Sequence, residues 1–171
     1  NKGSERGSKL LDVVKAGLGS DAAAEENLAL RPERDGRFIA RRKGAAQEPY
    51  INHLIEVLDL VARSDHGSDQ DVLIAAVLHD AVEDTPVTYE DLAQRFNGRI
   101  ANIVRENSDD MTLPKTERRL ARIAAMPHKS REARAVKTAD VISNLRAIAV
   151  SPPAGWTAER KLGYLEGCRQ L

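Results

Sequence analysis

The chain has 171 residues, enough for one domain with a real core and with no need of a second. Its 26 Lys and Arg balance its 26 Asp and Glu, so no single-signed field marks a nucleic-acid or membrane surface, and aromatics at 4% are too few for a base-stacking platform. One cysteine, Cys168, excludes an internal disulfide framework and a Cys-based zinc site. No apolar run approaches the roughly 18 residues of a membrane span and no signal-peptide pattern opens the chain, so the expected setting is soluble and cytoplasmic.

Helical periods dominate in chain order. "SKLLDVVKAGL" places Leu10, Leu11, Val13, Val14 and Leu18 on an amphipathic helix, and "SDAAAEENLAL" reads as a second one, ended by the turn-like "RPERDG". "PYINHLIEVLDLVARS" puts Tyr50, Leu54, Val57, Leu58 and Val61 on one face, with a stop near Gly67. "SDQDVLIAAVLHDAVEDTP" has Ser68 as predicted N-cap and Asp69 and Asp71 in its first turn. Its middle is apolar all round, so it is the expected central buried helix. "TYEDLAQRFNGRIANIVRENS" starts on the capping candidate Thr88, breaks near Gly98 and resumes. "TERRLARIAAM" and "SREARAVKTADVISNLRAIAV" are further amphipathic helices, the second with a stripe of Val136, Ala139, Ile142, Leu145 and Ile148. "TAERKLGYLEGCRQL" closes the order, with Thr157 as N-cap and Glu159 in its first turn. No strand alternation, repeat or linker is found, and the fold class is all-α.

The central segment ends in His79, Asp80, Glu83 and Asp84. On one continuous helix, His79 would stack with Glu83 and Asp80 with Asp84, because residues four apart share a face. Three carboxylates at a helix C-terminus repel one another and meet the unfavourable end of the dipole. A divalent cation turns that repulsion into coordination by neutral imidazole and carboxylate; the competing reading is a solvated helix end. Asp140, beside the core stripe of its own helix, is either paired with a cation or a third ligand.

Six words in order give this pattern a family resemblance: "RRKG", "PYINH", "AAVLHDAVEDT", "SDDMTLPK", "MPHKSREARAVKTADVISNLR" and "GWTAERKLGY". From about Arg41 to Leu171 the chain resembles the HD-superfamily alarmone hydrolases, the hydrolase domain of RelA/SpoT proteins and its MESH1-like stand-alone relatives. The resemblance implies an HD-domain helical bundle whose buried central helix carries the HD motif. It divides the chain into a poorly matched segment, residues 1–40, and a hydrolase domain, residues 41–171, in one compact unit. It also implies a Mn²⁺-dependent enzyme removing the 3′-pyrophosphate of ppGpp or pppGpp, a small-molecule substrate, with no nucleic-acid or membrane partner.

By motif, His79, Asp80 and Asp140 match metal ligands, and Glu83 and Asp84 match the pair handling water and protons. Arg42, Lys43, Tyr50, Lys137, Asn144, Arg160 and Tyr164 are the expected substrate-binding residues. Outside the resemblance, Arg42 and Lys43 read first as a solvated helix end, while Tyr50 reads equally as a core residue and Lys137 equally as a surface lysine. The resemblance further implies a metal-binding histidine six residues before Lys43, where Arg37 stands. Three explanations of that gap compete: a catalytically impaired nucleotide-binding relative, a site in which His53 substitutes, or an N-terminal stretch out of register with the rest of the family pattern. Apart from the gap, the resemblance also leaves open a hydrolase of another nucleotide such as NADPH.

Overall fold

The computed structural model describes Arg42, Ala46 and residues 49–171. The two N-terminal helices expected before Pro32, together with Arg37 and Lys43, lie outside the described residues. Within them the order is α1 (Tyr50–Ala62), α2 (Gln70–Leu78), α3 (Ala81–Asp84), α4 (Tyr89–Arg95), α5 (Gly98–Asn107), α6 (Lys115–Ala125), a 3₁₀ turn (Met126–His128), α7 (Arg131–Val150) and α8 (Ala158–Arg169). No strand occurs among the described residues, in keeping with the all-α reading.

Helix α2 is the centre, as its all-round apolar sequence requires: every residue from Val72 to Leu78 is buried. Helices α1, α5 and α7 pack against it, and α1 also packs on α7. The turn joining α1 to α2 needs Gly67, since a Cβ there would stand 2.0 Å from the Ala62 carbonyl oxygen. That tight return holds α1 alongside α2, which brings their functional side chains to one end of the bundle.

Two sequence expectations are corrected here. The N-cap of α2 is Asp69, not Ser68: its carboxylate accepts from the amides of Asp71 at 3.1 Å and Val72 at 3.4 Å. A carboxylate wins over a neighbouring hydroxyl because it also takes Arg99, whose Nη1 and Nη2 lie 2.8 and 2.7 Å from its two oxygens. Arg99 further reaches Asp71 and Glu132, each at 3.2 Å, and so joins the starts of α2, α5 and α7. Replacing Asp69 with alanine should cost about 1–2 kcal/mol, read by urea denaturation near neutral pH. The Arg99 hydrogen bond, against a small opposing effect of burial, holds the Asp69 carboxyl below its ordinary range, with the capped amides helping. Its contribution is therefore present above the unfolded carboxylate pKa and lost as pH falls through the folded one. The variant and the parent should converge in stability in acid.

The second correction concerns the expected continuous helix through Asp84. Helix α2 stops at Leu78, and Asp80 sits at φ −101°, ψ 0° before the single turn α3. The His79 ring is the cause. Its Nδ1–H donates to the Ala76 carbonyl at 2.8 Å, occupying one of the carbonyls left at the helix end. The predicted stacking at four-residue spacing meets a break instead: His79 and Asp80 stay together, 3.2 Å apart, while Glu83 goes to the Asp109 amide.

The remaining caps follow their sequences. Thr88 forms a capping box with Asp91, and Asn97, Ser130 and Thr157 cap α5, α7 and α8. The buried face of α7 is Ala133, Val136, Lys137, Ala139, Asp140 and Ser143; of the predicted stripe Ile142, Leu145 and Ile148 are only partly buried, and three polar residues are buried instead. Those three belong to the site.

Candidate metal and nucleotide site

Three elements meet at one end of α2. Helix α1 supplies His53, the α2–α3 break supplies His79 and Asp80, and α7 supplies Asp140. Donor atoms of His53, His79 and Asp80 all lie within 4.8 Å of one another. Asp140 Oδ1 stands 3.4 Å from His53 Nε2 and 3.7 Å from His79 Nε2, and Asp80 Oδ2 is 3.2 Å from His79 Nε2 and 4.0 Å from His53 Nε2. Both rings are essentially buried, at 2% and 1% exposure, and meet edge to face with centroids 5.3 Å apart.

Hydrogen bonding decides what each ring presents. The Ala76 carbonyl can only accept, so His79 carries a proton on Nδ1, and when neutral it turns the lone pair of Nε2 toward the carboxylates. That buried Nε2 makes no aligned hydrogen bond despite its short approach to Asp80. His53 Nδ1 lies 2.9 Å from Ser143 Oγ, and Nε2 again faces the carboxylates. Two imidazole nitrogens and two carboxylates form a donor set suited to a divalent cation of borderline hardness. The buried, unbonded His79 Nε2 is the observation that fits a metal here.

The electrostatics agree. Burial works against charge on His79, but Asp80 and Asp140 outweigh it and raise its pKa. Burial would raise Asp80 and Asp140; His79 holds the first below its ordinary range, and Lys137 and the two histidines hold the second well below. Both acids therefore stay anionic and draw positive charge between them.

Several of the expected binding residues stand around this cluster. Tyr50, expected as a pocket residue or a core filler, donates its hydroxyl to Asp80 Oδ2. Lys137 is buried rather than on the surface, its Nζ 3.1 Å from Asp140 Oδ2. Asn144 donates to Asp140 Oδ1 at 2.6 Å and accepts from Arg42 Nη2 at 2.8 Å. Arg42 is thereby docked on α7 instead of trailing in solvent.

Glu83 and Asp84 part company after the helix break. Glu83 Oε1 accepts the Asp109 amide at 2.7 Å, and Arg122 grips the Asp109 carboxylate through Nε, at 2.9 Å, and Nη2. Burial lifts the Glu83 pKa, the Asp109 amide opposes, and the Asp80 charge adds to the rise. Asp84 is exposed, and its charge reaches the Tyr50 hydroxyl.

Arg160 and Tyr164 gather about Trp156, which lies in the same quoted word but is not among the expected binding residues. The Arg160 guanidinium lies 4.7 Å from the centroid of the Trp156 ring, and the Tyr164 ring is 5.6 Å from the same indole. Burial raises the Tyr164 phenol, with Cys168 and the Asp140 charge contributing, so the cluster lies within the field of the acid centre.

His53 stands in this cluster, although it is not in the predicted ligand set. A signal for it exists in the chain: it stands on the same face of α1 as Tyr50 and Val57, so a ring nitrogen is bound for the core. The histidine expected at position 37 lies outside the described residues. The described cluster already offers two imidazoles, those of His53 and His79.

Comparison with known proteins gives the family. The HD domain family matches residues 36–163. The guanosine-3′,5′-bis(diphosphate) 3′-pyrophosphohydrolase MESH1 of Homo sapiens is 38% identical over 157 residues, 90% of this chain and 86% of the human protein. Its Drosophila melanogaster counterpart is 40% identical over 131 residues, 77% of this chain and 73% of that protein. A solved structure described as a metazoan ortholog of SpoT that hydrolyses ppGpp superposes with a TM-score of 0.75 at 32% identity, covering 95% of this chain and 82% of that one. The chain belongs to the HD-domain superfamily and, within it, to the MESH1-like alarmone hydrolases.

Proposed function

We propose that residues 41–171 form a Mn²⁺-dependent hydrolase that removes the 3′-pyrophosphate of ppGpp and pppGpp, releasing GDP or GTP and pyrophosphate. The observation that carries the reading is the pair of Nε2 atoms aimed at two anionic carboxylates, one of them buried and unbonded. His53, His79, Asp80 and Asp140 would hold the cation. Bound there, the cation supplies Lewis-acid stabilisation of charge developing on phosphate oxygens.

The protein's own groups supply the rest. Glu83, with its raised pKa and an oxygen fixed by the Asp109 amide, takes the proton of the attacking water, and Asp84 serves the proton needed by the departing 3′-oxygen. Attack at the phosphorus bonded to that oxygen breaks the P–O bond and frees pyrophosphate. Arg42, Lys43 and Lys137 offset phosphate charge. Tyr50 and Asn144 line the nucleoside side, and Arg160 and Tyr164 frame the outer rim with Trp156. The impaired-relative reading rests on a missing nitrogen ligand, and with His53 in the set it loses that ground. A small nucleotide substrate fits a cytoplasmic setting. No helix among the described residues is long and apolar enough to cross a membrane.

The test is turnover with a substrate panel. Purified protein with Mn²⁺ should convert ppGpp to equimolar GDP and pyrophosphate, lose that activity in EDTA and regain it on Mn²⁺ addition. An absence of turnover at high enzyme and excess Mn²⁺ sinks the reading. Faster dephosphorylation of NADPH than of ppGpp redirects it to another nucleotide.

A further inference from the structure

We propose that Ser143 and Glu56 are positioning residues for the metal centre, holding His53 in the tautomer whose Nε2 can ligate. The proposal rests on the reading of His53 as a ligand and extends it to residues that touch neither metal nor substrate.

A count of protons fixes the tautomer. Ser143 Oγ has one hydrogen to share among three neighbours: Glu56 Oε2 at 2.6 Å, His53 Nδ1 at 2.9 Å and Arg42 Nη1 at 3.3 Å. An ionised carboxylate can only accept, and a guanidinium can only donate. The serine proton is therefore committed to Glu56, and Arg42 uses one lone pair of Oγ. The lone pair that remains can only accept from His53, so Nδ1 carries the hydrogen and Nε2 is left free toward Asp140 and Asp80.

The relay is anchored from outside. Glu56 Oε1 takes Arg146 Nη1 at 3.0 Å, and those two side chains are 30% and 60% exposed, while Ser143 is fully buried. Burial opposes ionisation of Glu56, but the Ser143 and Arg146 hydrogen bonds prevail and keep its pKa below the ordinary range. A solvent-facing ion pair thus sets the direction of a buried hydroxyl, and the hydroxyl sets the ring. Outer partners of this kind change metal affinity by about 10–100-fold when removed.

The alternative is that Ser143 is a small residue filling space between α1 and α7. Three readouts separate the two roles: Mn²⁺ affinity by electron paramagnetic resonance of the free ion, the His53 tautomer by ¹⁵N-histidine NMR, and thermal melting. The NMR is run without metal. Ser143→Ala should weaken Mn²⁺ binding by about 10–100-fold and lose the Nδ1–H tautomer, with Ser143→Thr recovering both. Glu56→Gln, at a partly exposed position, should shift both readouts the same way by less. His53→Ala is the control that tests the ligand reading itself.

If His53→Ala weakens Mn²⁺ binding while Ser143→Ala and Glu56→Gln leave affinity and tautomer unchanged, the positioning proposal is overturned and the ligand reading stands. If the parent binds no Mn²⁺, the ligand reading fails, and the tautomer of the metal-free protein alone decides whether Ser143 orients the ring. Should Ser143→Ala fail to fold, Glu56→Gln decides both points in its place.

Discussion

Replacing Asp80 with asparagine should lower ppGpp hydrolysis by on the order of 10³-fold or more, roughly 4 kcal/mol of transition-state stabilisation, with a parallel loss of Mn²⁺ affinity. Asp80 is the meeting point of the centre: Oδ2 takes the Tyr50 hydroxyl and lies 3.2 Å from His79 Nε2 and 4.0 Å from His53 Nε2. The amide keeps the shape and removes the charge, leaving Asp140 as the one anion among the four proposed ligands. It also turns an acceptor-only group into one that can donate toward His79 Nε2, competing for the lone pair a cation needs. The His79 bond to Ala76 is untouched, so the backbone there is kept, while loss of the Asp80 charge beside His79 should lower the melting temperature at neutral pH. A variant that keeps parental turnover at low Mn²⁺ would remove Asp80 from the ligand set.

Glu83→Gln separates chemistry from binding. The variant should lose about 10²–10⁴-fold in kcat while Mn²⁺ affinity and KM stay near parental values. Glutamine keeps an oxygen to accept the Asp109 amide, so the local geometry is retained and only proton transfer is lost. The pH profile is a second check. Burial, with the Asp80 charge behind it, raises the folded pKa of Glu83, so the parent's acidic limb should lie above the ordinary carboxylate range and vanish in the variant.

The sign for stability is opposite to that of a salt-bridged acid. A carboxyl with a raised folded pKa binds its proton more tightly in the folded state, so its presence costs stability as pH rises through the window between the two values. At neutral pH Glu83→Gln should therefore melt at or above the parental temperature. A gain in stability with a loss of activity identifies a group kept for function rather than for the fold. A residue that merely supported the Asp109 loop would lose both.

Local chemistry explains why much of this is readable in the chain. Helix identity follows from apolar spacing, and Thr88, Ser130 and Thr157 cap where their side chains can reach an amide two or three residues on. The all-apolar run Val72–Leu78 could only be a buried helix. Asp69 displaces Ser68 as cap because a distant guanidinium, Arg99, favours a carboxylate there, and no local rule contains that partner.

The site divides along the same line. Sequence by itself determined the all-α fold, the central helix and the presence of His79, Asp80 and Asp140 in motifs that point to a metal, since those depend on neighbours along the chain. Only the tertiary structure decided that His53 stands beside them, that Lys137 is buried against Asp140, and that Glu83 turns away from His79 to the Asp109 amide. It alone set the ring of His53 against Ser143, ninety positions away. Periodicity tells which face of a helix is apolar but not which helix that face will meet, and a tautomer belongs to the hydrogen bond on the far side of the ring.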